Sequence, residues 1–246
     1  MRTHRVYLDQ PLSGMTELTV AGPTAHYLAR VLRLRAGGEL TVFDGRGGEY
    51  AATLVNVSRD EVQVALGRYN DRDRESSLNL TLAQGVARGE RMDQILQKAT
   101  ELGVTAIVPL LTDHTVVRLD AERAEKRHGH WQRIIISACE QCGRNRLPNL
   151  QPLRSIDDWL ADLTDVGTRF ILQPDAVTTL AKTVEQPRDH TALILIGPEG
   201  GLSEREQTIA RRRDFLATSL GPRVLRTETA TLATLAIMQS RWGDAG

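Results

Sequence analysis

Two kinds of hydrophobic pattern divide the chain. As far as about Gly67 the apolar residues come in short alternating runs, RVYLD, ELTVFDG, EYAATLVNV and EVQVALG. Between them stand the turn signals Gly37-Gly38, Gly45-Arg46-Gly47-Gly48 and Ser58-Arg59-Asp60. Alternation at a period of two predicts half-buried strands, and strands this short and closely spaced predict a small β-barrel. One helix interrupts them, PTAHYLARVLRL, with Pro23 suited to its first turn and Tyr27, Leu28, Val31 and Leu32 on an apolar side. Its other side shows Arg30, Arg33 and Arg35.

The stretch RYNDRDRESS, residues 68–77, offers only Tyr69 for burial and reads as a linker between two cores. The expected division is residues 1–70 and 71–246. Beyond it, continuous apolar strands alternate with helices. LNLTLAQG is followed by ERMDQILQKATELG, whose Met92, Ile95, Leu96, Ala99 and Leu102 keep helical spacing, and then by VTAIVPLL, which makes a βαβ unit. A helix around WQRIIISACEQC follows, then the strand RFILQP, a short helix TTLAKTVE and the strand TALILIGP. The chain goes on through the helix SEREQTIARRRD, the strand FLATSL and a last helix ATLATLAIMQSRW. Strands buried on both faces between helices predict an α/β domain with a parallel sheet, which binds ligands at the carboxyl ends of its strands.

Composition narrows the partners. Of 246 residues, 41% are hydrophobic and 31 basic residues balance 31 acidic ones, so any polyanion site must be a local patch. The opening MRTHRVYLDQ has no apolar h-region and no apolar run is long enough to span a bilayer, so the expected compartment is the cytoplasm, with no membrane partner. The two cysteines, Cys139 and Cys142, are half a zinc site at most. They lie on a helix that stops at Gly143, and His114, His128 and His130 form no tight pair with them, so no metal is expected.

The chemistry concentrates in two loops. In LILIGPEGGLSEREQ a buried strand runs into Gly197-Pro198-Glu199-Gly200-Gly201, and Ser203 with Glu206 makes a capping box. The loop therefore lies at a strand end and a helix N-terminus together; Gly200 and Gly201 can take positive φ, and Pro198 fixes the turn. A second loop, LGPRVLRTETATLATLAIMQSRWGD, repeats the arrangement with Gly221-Pro222, Arg223, Arg226 and Glu228 before a helix. Neither loop follows a phosphate-cradling grammar, and a glutamate would repel phosphate. A carboxylate-bearing, amide-lined pocket suits a neutral base with a cationic tail.

These two loops, with RMDQILQKATELGV upstream and CEQCGR between, resemble the RsmE family of ribosomal RNA uracil-N3 methyltransferases in the SPOUT class. The resemblance covers nearly the whole chain, since the β-rich front part is similar to that family's PUA-like RNA-binding domain. It implies a small PUA-like barrel followed by a SPOUT α/β domain closed by a C-terminal trefoil knot. It also implies a homodimer using S-adenosyl-L-methionine, and 16S ribosomal RNA, within the small subunit, as partner. Gly197, Pro198, Glu199, Gly200 and Gly201, with Leu172 and Ile196, would form one wall of the cofactor site, and Leu220, Gly221, Arg223, Leu225 and Thr227 the other. Two places depart from the family: His114 in LLTDHTVV stands where an arginine is expected, and RHGHW carries extra histidines before Trp131.

Methylating uracil at N3 requires a proton to leave that nitrogen, so a base or a stabiliser of the anion is needed. Glu199 or Glu228 is expected to assist deprotonation, and Arg223 or Arg226 to stabilise charge on a uracil carbonyl. Arg5, Arg30, Arg33, Arg35, Lys98 and Arg144 are the candidates for RNA backbone contacts. The competing readings are a SPOUT ribose 2′-O-methyltransferase and a non-catalytic RNA-binding assembly factor.

Overall fold

A computed structural model describes residues 4–58, 60–115, 121–165, 167–183 and 185–246. Arg59 of the third turn, Val116 and Val117 of LLTDHTVV, and Val184 of TTLAKTVE thus lie outside the described residues. The chain divides into two units. One comprises Met1–Glu75 and Cys139–Leu147, the other Ser76–Ala138 and Pro148–Gly246.

The first unit is a five-stranded sheet built from β1 (His4–Tyr7), β2 (Glu17–Ala21), β3 (Glu39–Phe43), β4 (Glu49–Val57) and β5 (Glu61–Asn70), in the order β1-β3-β4-β5-β2. Alternate residues of every strand point to one core, with Val6, Leu18, Val20, Leu40, Val42, Leu54, Val62 and Val64 all buried. The strand β2, ELTVA, carries the same alternation but is short enough to escape the sequence reading. The helix follows β2 as α1 (Gly22–His26), with Pro23 in its first turn, and continues as a π-helical stretch over Tyr27–Val31. That wider turn rotates the apolar side. Leu28 reaches the core, whereas Val31, expected on the apolar side, is exposed.

The polar stretch expected to be a linker is largely occupied. Its first three residues complete β5, and Tyr69 packs against Tyr50 at a ring separation of 4.9 Å. Glu75 pairs with Arg144, and the Arg72 carbonyl accepts from Asn145 at 2.9 Å. Residues 139–147 thereby join the first unit although they follow residues of the second in sequence.

The second unit holds a seven-stranded parallel sheet. Its elements are β6 (Asn79–Gly85), α2 (Glu90–Glu101), β7 (Ala106–Leu111), α3 (Ala121–Cys142), β8 (Asn149–Leu150), β9 (Arg154–Ser155) and α4 (Ile156–Ala161). They continue with β10 (Thr168–Leu172), α5 (Leu180–Thr183), β11 (Thr191–Ile196), α6 (Glu204–Arg212), β12 (Leu216–Thr218) and α7 (Thr227–Trp242). The strand order is β12-β10-β11-β6-β7-β8, with β9 also paired to β7. Met92, Ile95, Leu96 and Ala99 of α2 are buried at their expected spacing. On one face Leu110, Trp159, Leu160, Ile171, Leu195, Ala210 and Phe215 share a core. The apolar pattern missed α4 and the two-residue strands β8 and β9, although Ser155 caps α4 by accepting from the Asp158 amide.

Among the described residues no helix is long and apolar enough to cross a membrane. Nor, among them, is any group of three or more His, Cys, Asp and Glu placed to hold a metal ion. Cys139 is buried, and burial pushes its thiol up to about 12, which removes it from thiolate chemistry at neutral pH.

Candidate active site

The carboxyl ends of β6, β10 and β11 lie side by side in the sheet, and the chain after β11 has to turn sharply there. A Cβ on Gly197 would meet the Gly201 carbonyl carbon at 2.7 Å and the Leu202 nitrogen at 2.9 Å, so only glycine lets the loop fold back this tightly. The turn closes with the Gly201 amide donating to the Pro198 carbonyl at 2.9 Å. Of the two glycines expected to take positive φ, only Gly201 does, at 70°. Gly200 supplies room instead: a Cβ there would lie 2.9 Å from that of His114, whose Nδ1 sits 2.8 Å from the Gly200 carbonyl oxygen.

The loop ends in the expected capping box. Ser203 accepts from the Glu206 amide at 3.3 Å and Glu206 accepts from the Ser203 amide at 2.8 Å. The buried Glu206 also accepts from the Asp113 amide at 2.8 Å, and Arg205 and Ser203 both bond the Asp113 carboxylate. Those bonds hold the Asp113 carboxyl below its usual range, the Arg205 bond contributing most.

A buried polar knot of side chains ties the two loops together. Thr227 donates to the Gly197 carbonyl at 2.8 Å and accepts from Gln84 Nε2 at 3.2 Å, while Thr231 donates to Gln84 Oε1 at 2.7 Å. Gln84 is fully buried at the end of β6. It reads in sequence as one polar residue at the end of an apolar strand, which is the signal that a buried network requires.

Between the loops lies a cavity of about 730 Å³, within the range that holds a nucleoside-sized ligand. All twelve residues assigned to a cofactor from the sequence line it, together with Gln173, Gln207 and Arg226. So do both candidate bases, and Arg91, a first-turn residue of α2 that sequence reasoning did not single out. Arg91 joins the two carboxylates. Its Nη1 donates to Glu199 Oε1 at 2.7 Å and its Nε lies 3.8 Å from Glu228 Oε1. Glu199 Oε1 accepts from the Arg88 amide as well, at 3.0 Å. Burial alone would push the Glu199 carboxyl up, but those two donors together outweigh it and hold the group below the usual carboxylate range. Glu228 is different: its Oε2 is shut off from solvent and has no hydrogen-bond partner among the described residues. An acceptor left in that state costs roughly 1–3 kcal/mol.

The candidate arginines separate by environment. Arg223 and Arg226 are exposed at the cavity rim, beside Val224, which is 82% exposed. Arg30, Arg33 and Arg35 are exposed, and Lys98 is half-exposed with Glu101 as its partner at 2.9 Å. Arg5 and Arg144, expected to contact RNA, are turned inward. Arg144 is 4% exposed and pairs with Glu75, and Arg5 pairs with Glu49 and donates to Asn145. Guanidiniums so committed hold residues 139–147 in their unit and do not present to a phosphate. The histidines of RHGHW are also engaged: His128 Nε2 lies 3.2 Å from the Leu150 carbonyl oxygen and His130 Nε2 lies 2.9 Å from Asp93.

The family model described as an RNA methyltransferase domain matches residues 74–239, and the RNA methyltransferase PUA domain matches residues 20–66. Fold, site and these matches define the class: an RNA methyltransferase domain preceded by a PUA domain. Ribosomal RNA small subunit methyltransferase E of Bacillus subtilis is 30% identical to this chain, covering 92% of it and 91% of its own length. The enzyme of that name from Synechocystis is 33% identical, covering 89% of this chain and 72% of its own. The crystal structure of ribosomal RNA small subunit methyltransferase E from Neisseria gonorrhoeae bound to S-adenosyl methionine is 37% identical. It superposes with a TM-score of 0.91 and covers 100% of each chain. The chain belongs to the ribosomal RNA small subunit methyltransferase E family.

Proposed function

We propose that this protein transfers a methyl group from S-adenosyl-L-methionine to N3 of a uridine in 16S ribosomal RNA, as a homodimer acting on the small ribosomal subunit in the cytoplasm. The observation that carries the reading is the cavity at the strand ends, walled by two Gly-Pro loops and bearing two carboxylates. The residues present fit the cofactor: the glycines let a ligand approach the loop backbone, and the carboxylates suit a cationic sulfonium. Held between Gly197–Gly201 and Leu220–Thr227, S-adenosyl-L-methionine would supply an electrophilic methyl group on a sulfonium, whose sulfur keeps the electron pair of the bond that breaks.

The protein's own residues supply position and proton transfer. Glu199 or Glu228 assists removal of the N3 proton, and Arg223 or Arg226 steadies the negative charge on the adjacent carbonyl oxygens. Arg30, Arg33 and Arg35 in the first unit and Lys98 in the second contact the RNA backbone. Dimerisation is supported by α7, which carries Leu232, Ala236 and Ile237 less than fully buried. A trefoil-knotted path for the C-terminal segment belongs to the same reading.

The test is methyl transfer from labelled cofactor to small subunits that lack base methylation, followed by nucleoside mass spectrometry. The expected product is 3-methyluridine. Label in a 2′-O-methyl nucleoside would reassign the target to ribose, and cofactor binding without transfer would make the protein a binding factor.

A further inference from the structure

The two glutamates of the cavity stand in unlike surroundings. Glu199 spends one oxygen on two donors, the Arg88 amide at 3.0 Å and Arg91 Nη1 at 2.7 Å. A carboxylate held this way is a weaker base, because protonation removes the charge that those donors stabilise. Glu228 faces the same guanidinium only through a 3.8 Å ion pair, too long for a hydrogen bond. Its Oε2 accepts nothing from any described residue and is closed to water. Buried carboxylate oxygens without a donor are rare, and this one belongs to a residue that lines the ligand cavity.

We propose that Glu228 is the group that takes the N3 proton of the target base, and that Arg91 is the positioning residue that holds Glu228 in place while its own strong bond locks Glu199. This deepens the function proposed above and rests on it. The N3–H bond breaks toward the Glu228 carboxylate, the N3 electron pair becomes free to form the bond to the methyl carbon, and the proton later passes from Glu228, whose side chain keeps 17% of its surface exposed, to water. Arg91 limits the freedom of Glu228 without hydrogen-bonding it, so the oxygen stays available. Arg91, the second residue of α2, reaches a carboxylate of each loop.

The experiment compares wild type, Glu228→Gln and Glu199→Gln in single-turnover methylation of RNA carrying either uridine or 5-fluorouridine at the target. S-adenosylhomocysteine binding, measured by calorimetry, runs in parallel. Fluorine makes N3–H more acidic, so it reduces the need for a base, while the N3 anion it leaves is a somewhat weaker nucleophile. Glu228→Gln is expected to slow transfer to uridine by about 10²–10⁴-fold, the usual contribution of a positioned general base. Its cofactor affinity should stay within a few-fold, and 5-fluorouridine should recover most of the rate. Glu199→Gln should not be rescued by fluorine. Arg91→Lys should slow transfer less than Arg91→Ala and show partial rescue in both. The proposal is overturned if Glu228→Gln transfers to uridine within fivefold of wild type, or if its loss is untouched by 5-fluorouridine while cofactor still binds. Should Glu228→Gln fail to fold, Glu228→Asp, which keeps the carboxylate but retracts it, carries the same fluorine comparison. Wild type that binds cofactor yet makes no 3-methyluridine would instead remove the proposed function itself.

Discussion

The loops after β11 and after β12 share a grammar in sequence: each has Gly-Pro at a strand end, a carboxylate beyond it, Glu199 directly and Glu228 in the first turn of α7, and a helix. In the structure they are opposites. In the first loop nearly every polar group is engaged: Glu199 by Arg88 and Arg91, Ser203 and Glu206 by each other, and the Gly200 carbonyl by His114. In the second, Arg226 stands at the N-cap of α7 without a side-chain cap, Arg223 and Val224 project to solvent, and Glu228 keeps an unmatched oxygen. The first loop is a finished platform. The second is left incomplete on the side where a ligand would sit, which is how a site divides the work between holding a shape and meeting a substrate.

The largest effect should come from filling the platform. Gly197→Ala puts a methyl group into backbone that has no flexible side chain to yield, so we expect a loss of about 1–3 kcal/mol in unfolding free energy and no thermal shift with S-adenosylhomocysteine. Gly221→Ala is the matched control: its φ of 105° makes alanine strained, but nothing lies within 4 Å, so the loss should be nearer 1 kcal/mol. Equal losses at both glycines would remove the distinction between the loops.

Next in size is Thr227→Val, which keeps the shape and deletes the hydroxyl that links Gly197 to Gln84. The Gly197 carbonyl keeps Gln84 Nε2 at 3.3 Å and Gln84 keeps the Gly85 carbonyl at 3.0 Å, so losing the hydroxyl should cost about 1 kcal/mol in chemical denaturation. Adding Gln84→Leu to that variant should cost much less than the sum of the two single changes, since both break one network.

How much of this was legible follows from what each signal depends on. The sheet and its helices could be read because apolar period reports burial directly, and the capping box could be read because Ser203 and Glu206 carry it within three residues. The π turn was not, because widening a helix by one residue leaves the composition unchanged and moves Val31 outward. Charge was the weakest guide. Arg144 and Arg223 look alike in sequence, and only the partner at Glu75, 69 positions away, turns one of them into a structural residue. Arg91 was invisible for the same reason: its two carboxylates lie more than a hundred residues downstream.

Acid should separate the loops more gently. The Glu199 carboxyl titrates below its usual value of 4.5, burial opposing and the Arg88 and Arg91 donors prevailing, so its contribution favours the folded state when ionised. The sign is that of a depressed carboxylate: the contribution is complete above about pH 4.5 and is lost as pH falls through the lowered value. Wild type and Glu199→Gln should therefore differ in unfolding midpoint at pH 7 and converge in the acid range. A difference that persists unchanged to pH 3 would mean that the glutamine damages the loop by shape and not by charge.

The smallest stability effect, and the sharpest statement about the second loop, belongs to Arg223→Ala with Arg226→Ala. Among the described residues neither guanidinium has an ion-pair partner, and both are exposed, so removing them should shift stability by no more than about 0.5 kcal/mol. Their effect should fall instead on RNA. If they contact phosphate, the slope of log affinity against log salt should shrink by about one for each lost contact. If they stabilise the anionic base, the salt slope should hold and the single-turnover rate should fall. A variant that loses several kcal/mol of stability would show that the second loop is as built-in as the first, and the contrast between an occupied platform and an open rim would have to be given up.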